Sequence, residues 1–176
     1  MNAAPDLCRR RIVQAGGGLL LLALAYPRPA PADDAIEISL GGSGDGAHVW
    51  FNPRGILIKR GQTIRWVNTE AGNVHTTTAY HPSFQGKPLR IPEGAKPWDS
   101  GYLMPGQSFS VTFDTPGVYD YFCVPHEQAG MVGRIIVDAP DSGAQARQQA
   151  SDALLPAAAR EGFVSATQIM EAQKVT

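Results

Sequence analysis

Four side chains in this sequence share one chemical preference. Cys123, His126 and Met131 fall at the spacing Cys-x2-His-x4-Met, and His75 lies far upstream in a run that reads as a strand. They offer one thiolate, two imidazoles and one thioether. A trigonal site of two histidines and one cysteine, with a weak axial methionine, is the set expected of a blue-copper electron-transfer centre. Zinc also takes cysteine and histidine, but a thioether is a soft donor that suits copper better. The plainest alternative is a buried cysteine beside unrelated polar residues.

The elements around these residues can bring them together. Gly117 to Cys123 is aromatic and β-branched through Val118, Tyr119, Tyr121 and Phe122, so it reads as a strand. Val132 to Val137 reads as a second strand. The connection holds Pro125 and Gly130, which is turn chemistry. A cysteine at a strand end, a histidine in the loop and a methionine where the next strand begins can converge on one point. The fourth donor, His75, must then come from a neighbouring strand.

The run Tyr121-Phe122-Cys123-Val124-Pro125-His126-Glu127-Gln128-Ala129-Gly130-Met131-Val132-Gly133 resembles the C-terminal copper loop of plastocyanins, within the cupredoxin family. The resemblance covers roughly residues 35–138. It implies one type 1 copper ion held by His75, Cys123, His126 and Met131, with no position open for a substrate. It also implies an electron port at the edge of His126, inside an apolar docking patch of Val124, Pro125, Ala129 and Gly130. Pro125 has no N–H to donate to the Cys123 sulfur, a feature plastocyanin-like loops share. The residue after the upstream histidine departs from the pattern: it is usually asparagine, and here it is Thr76. A hydroxyl can replace part of that bridge between ligand segments. Glu127 reads as a solvated loop charge. His48 and His81 read as surface or packing residues, and Trp50, Trp66 and Trp98 as core or loop packing.

The rest of the chain supports an all-β fold. Short alternating runs occur at 35–40, 49–51, 56–59, 63–68, 74–79 and 108–113, separated by turn residues. With the two strands around the loop they make about eight, the pattern of a β-sandwich. The resemblance makes this a Greek-key cupredoxin sandwich. Residues 80–101 break the pattern with Pro82, Pro88, Pro92 and Pro97, which reads as a long surface excursion that loops outward. Residues 139–176 form a C-terminal extension with one or two short helices. In it Ser165-Ala166-Thr167-Gln168 resembles a capping box.

The start of the chain is of a different kind. Arg9, Arg10 and Arg11 precede an apolar run from Ala15 to Tyr26, and Ala30-Pro31-Ala32 resembles a cleavage site. This is the layout of an export signal over residues 1–32, of twin-arginine or ordinary secretory type. The predicted units are that signal, a copper domain at 33–138 and the extension at 139–176. Removal of the signal leaves 11 basic and 15 acidic residues and a single cysteine, Cys123. That excludes an internal disulfide, and an exported lone thiol avoids oxidation when a metal occupies it. The chain carries no basic run for nucleic acid, and the mature form is expected to have no membrane span. The sequence therefore points to a monomeric periplasmic electron shuttle that docks transiently with redox proteins near His126. A protein that stores or delivers copper shares the same ligands and is the alternative. With one cysteine and no second histidine cluster, the enzyme reading is the weakest.

Overall fold

A computed structural model describes residues 34–44, 48–138 and 151–176; the export signal expected at 1–32 lies outside them. Among the described residues, nine strands form two sheets. The first contains β1 (Ile36–Gly42), β2 (Val49–Asn52), β4 (Thr63–Asn68) and β6 (Ser108–Thr112), in the order β2-β1-β4-β6. The second contains β3 (Gly55–Ile58), β5 (Thr78–Ala79), β7 (Gly117–Phe122), β8 (Val132–Val137) and β9 (Lys174–Val175), in the order β5-β7-β8-β3-β9. The pairs β1–β4 and β3–β8 are parallel and the other pairs antiparallel.

The core follows from side-chain alternation. In β4, Ile64, Trp66 and Asn68 face inward while Thr63, Arg65 and Val67 are half-exposed. Ile38, Leu40, Phe51 and Trp66 from the first sheet meet Ile56, Tyr119, Tyr121 and Ile135 from the second. Tyr121 stands opposite Gly133 across the β7–β8 pair. A Cβ on Gly133 would lie 2.3 Å from the Tyr121 hydroxyl oxygen, so only glycine leaves room for that ring.

Strands β7 and β8 are buried along their whole length. One face lies in the core, and the C-terminal segment covers the other. Helix α1 (Ala157–Gly162) and the turn before it place Leu155 and Ala159 on Phe122 and Val132. Helix α2 (Ala166–Ala172) places Ile169 on Val118 and Ile136. The expected capping box starts α2: the Gln168 amide donates to Ser165 Oγ, and the Ser165 amide donates to Gln168 Oε1. The ninth strand, β9, was not expected from the sequence; the extension adds it to the edge of β3.

The excursion at 80–101 does not loop outward as the prolines suggested. Tyr80, Arg90, Ile91 and Trp98 are all buried. Trp98 stacks on Trp66 with ring centroids 5.6 Å apart. The Arg90 amide donates to Tyr80 O, and Asp120 N donates to Arg90 O, so the segment returns to β7. Proline forbids regular strand here, but it does not prevent the aromatic and apolar residues from burying themselves.

Candidate metal centre

Three of the four predicted donors converge. Cys123 directly follows β7, and His126 lies in a 3-10 helix, Val124–Ala129, that Gly130 ends in a left-handed conformation. Cys123 Sγ is 3.4 Å from His126 Nδ1 and 3.7 Å from His75 Nδ1. The three ligand atoms lie within 4.8 Å of one another. His75 and Cys123 are fully buried and His126 is half-buried. Met131, just before β8, is also buried. Its carbonyl accepts from Cys123 N at 3.0 Å, and its amide donates to His126 O at 3.1 Å. These bonds fix Met131 to both loop ligands.

His75 arrives from the other side. It sits between β4 and β5, where its amide donates to Leu103 O and its carbonyl accepts from Leu103 N. Asn68 organises the approach. Its buried side chain donates to Asn73 O at 2.9 Å and Leu103 O at 2.8 Å, and it accepts from Glu70 N at 3.0 Å. One amide thus holds two points of the segment leading to His75 and the Leu103 backbone that pairs with it.

Thr76 supplies the bridge the sequence left open. Its amide donates to Cys123 Sγ at 3.2 Å, and its hydroxyl accepts from Val124 N at 2.8 Å. The hydroxyl thereby ties the His75 segment to the Cys123 segment.

One charge departs from expectation, and a second carries no mark in the sequence. Glu127 is not a solvated loop charge: it is 5% exposed, and its carboxylate accepts from the Tyr80 hydroxyl at 2.8 Å and from Lys87 Nζ. The 3-10 turn points it back beneath the loop, where the excursion supplies its partners. Burial, and then the negative charge of Glu127, push the Tyr80 hydroxyl above its ordinary pKa, so it stays a donor. Glu70 was not singled out at all. Its Oε2 lies 2.7 Å from His75 Nε2. No spacing rule marks it, because a loop rather than a helix or strand brings it to the histidine.

The donor set fits copper. A metal held by bonds of about 2.3 Å to sulfur and 2.0 Å to nitrogen would keep those two atoms about 3.5–3.7 Å apart, close to the two sulfur–nitrogen separations of 3.4 and 3.7 Å. No carboxylate belongs to the group of three donors. Burial pushes the Cys123 thiol up to about 11 in the metal-free protein, partly offset by the Thr76 and His126 amides and the Thr76 hydroxyl. A bound cation reverses that preference and holds the thiolate. His126 is lowered from its ordinary value, chiefly by burial and then by the neighbouring His75, which keeps its ring neutral and able to ligate.

Residues 37–138 match the family of copper binding proteins, plastocyanin/azurin family. The chain belongs to that family. Its cofactor is copper, and its fold is the cupredoxin sandwich. It is 34% identical over 128 residues to a chloroplastic plastocyanin of Tetradesmus obliquus, covering 73% of this chain and 81% of that protein. It is 33% identical over 119 residues to a pseudoazurin of Methylorubrum extorquens, covering 67% of this chain and 71% of that protein. Among solved structures, a Sinorhizobium pseudoazurin aligns with a TM-score of 0.53 and 26% identity, over 78% of this chain and 98% of that one.

Proposed function

We propose that this cupredoxin is a periplasmic one-electron shuttle between larger redox proteins, with His75, Cys123, His126 and Met131 as its copper ligands. The observation that carries this reading is the closed site: three soft or borderline donors meet in a buried pocket, and only His126 is partly open. Copper supplies the one-electron couple. The protein supplies one sulfur and two imidazole nitrogens in a largely buried surround. Thr76 and Asn68 hold the ligand segments in place, so little rearrangement accompanies a change of charge.

Relatives named plastocyanin and pseudoazurin support electron carriage over enzymatic turnover. The basic and apolar start of the chain supports export, with residues 1–32 removed, 33–138 as the copper domain and 139–176 as its extension. No helix among the described residues is long and apolar enough to cross a membrane. Docking is assigned to the surface around His126, where Pro125, Gln128 and Ala129 are exposed. Gly130 is partly withdrawn from that surface: a Cβ there would lie 2.9 Å from Ala158 O of α1.

An absorption spectrum of the oxidised copper-loaded protein, followed by redox titration, tests the reading. An intense blue band and a reversible couple are expected. Cys123→Ser should lose the band, because a hydroxyl cannot replace the soft thiolate. A band that survives this change would remove Cys123 from the site. Rapid loss of copper to a chelator on each cycle would favour delivery over shuttling.

A further inference from the structure

We propose that Glu70 is a positioning residue that tunes the copper site through His75, and that Gly42 exists as glycine to admit its carboxylate. The inference rests on the copper reading above and adds to it a control on reduction potential.

The geometry is specific. His75 turns Nδ1 toward Cys123 at 3.7 Å and Nε2 toward Glu70 Oε2 at 2.7 Å. A ring that ligates through Nδ1 must carry its proton on Nε2. The carboxylate accepts a hydrogen bond from that N–H, fixing both the tautomer and the orientation of the ring. The imidazole is fully buried and the Glu70 side chain is only 11% exposed, so water screens the contact weakly.

The loop is built to deliver this carboxylate. Glu70 N donates to Asn68 Oδ1, while Thr69 N and Oγ1 both donate to Leu40 O of β1. That brings Glu70 against the end of β1. There a Cβ on Gly42 would lie 2.5 Å from Glu70 Oε2 and 2.8 Å from its Cδ. No left-handed backbone explains this glycine; the space does. A methyl group must displace the carboxylate, and with it the acceptor for His75.

The chemical consequence has a sign. A carboxylate behind the imidazole makes the ring a stronger donor and places negative charge near the metal. Both favour copper(II) over copper(I) and lower the potential. Glu70→Gln keeps an oxygen acceptor of the same shape but removes the charge, so the potential should rise while the blue band remains. Gly42→Ala should shift the potential in the same direction without touching any ligand. The two changes act on one contact, so the shift in the double variant should be smaller than the sum of the two single shifts.

The experiment is redox titration of copper-loaded wild type, Glu70→Gln, Gly42→Ala and the double variant, with proton–nitrogen NMR of the His75 ring in the copper(I) forms. The Nε2–H signal should move in both single variants, which a purely structural role for the loop would not require. An unchanged potential in blue Glu70→Gln protein would overturn the tuning role and leave the copper reading standing. Fully additive shifts would overturn the role of Gly42. A wild-type protein that never turns blue with copper would instead overturn the reading beneath both. If Gly42→Ala fails to fold, the isosteric Glu70→Gln still decides the tuning role, and restored folding on adding Glu70→Ala to Gly42→Ala is expected if the clash is with Glu70; no restoration would overturn the role of Gly42.

Discussion

At the scale of single residues, the site depends on a few atoms with no substitutes. Met131 is buried and bonded through its backbone to both Cys123 and His126. Met131→Leu should keep copper but raise the potential, since losing a weak axial donor disfavours copper(II). A lowered potential would contradict Met131 as the axial ligand. Thr76 gives a different test. Thr76→Val keeps the shape and the amide bond to Cys123 Sγ, but it removes the acceptor for Val124 N–H. An amide left unpaired in this half-buried place costs about 1–3 kcal/mol. Denaturant unfolding should report that loss, with the blue spectrum little changed. Equal midpoints for the two proteins would mean that the bridge contributes nothing.

At the scale of elements, a buried ionic cluster joins three parts of the chain. Asp120 of β7 is directly opposite Arg134 of β8 and binds it through both carboxylate oxygens, at 2.7 and 2.9 Å. Arg90 of the excursion binds the same carboxylate at 2.8 Å and reaches Asp152 of the C-terminal segment. Both guanidinium groups lie about the Phe163 ring, at 5.1 and 5.0 Å from its centroid. Arg134 also donates to Val164 O. Two positive groups share one buried acid, so Asp120→Ala leaves uncompensated charge in the interior. Its expected cost is about 3–5 kcal/mol, far above that of a surface ion pair. Thermal unfolding of the two proteins checks this. A loss below 1 kcal/mol would show that the cluster relaxes into water.

At the scale of the whole molecule, the site is placed where the protein can be approached. His75, Cys123 and Met131 are enclosed, while His126 is half-buried and has Pro125, Gln128 and Ala129 exposed around it. Ala129→Glu should slow electron self-exchange by hindering close approach and should leave the blue spectrum unchanged. Measurement at high salt screens the added charge and isolates the steric part. Equal rates would move the electron port to another face. The C-terminal segment limits this surface on one side, because α1 packs on Gly130 and the loop cannot expose that glycine fully.

The sequence by itself determined the types of the three donors that meet, the loop between two strands that carries two of them, and most strand positions. Local chemistry carried each of these: alternation in β4, turn residues at Pro125 and Gly130, and the capping box at Ser165 and Gln168. Thr76 was legible as a departure, and its hydroxyl does bridge the ligand segments. Only the tertiary structure decided what became of the charges. Glu127, Asp120 and Arg90 look like ordinary polar residues in a one-dimensional pattern. Their burial depends on partners 30 or more residues away, such as Lys87 for Glu127 and Arg90 for Asp120. Glu70 and Gly42 are the extreme case. One carboxylate, one missing Cβ and one imidazole meet through loop geometry, and neither helical nor strand periodicity records such a meeting.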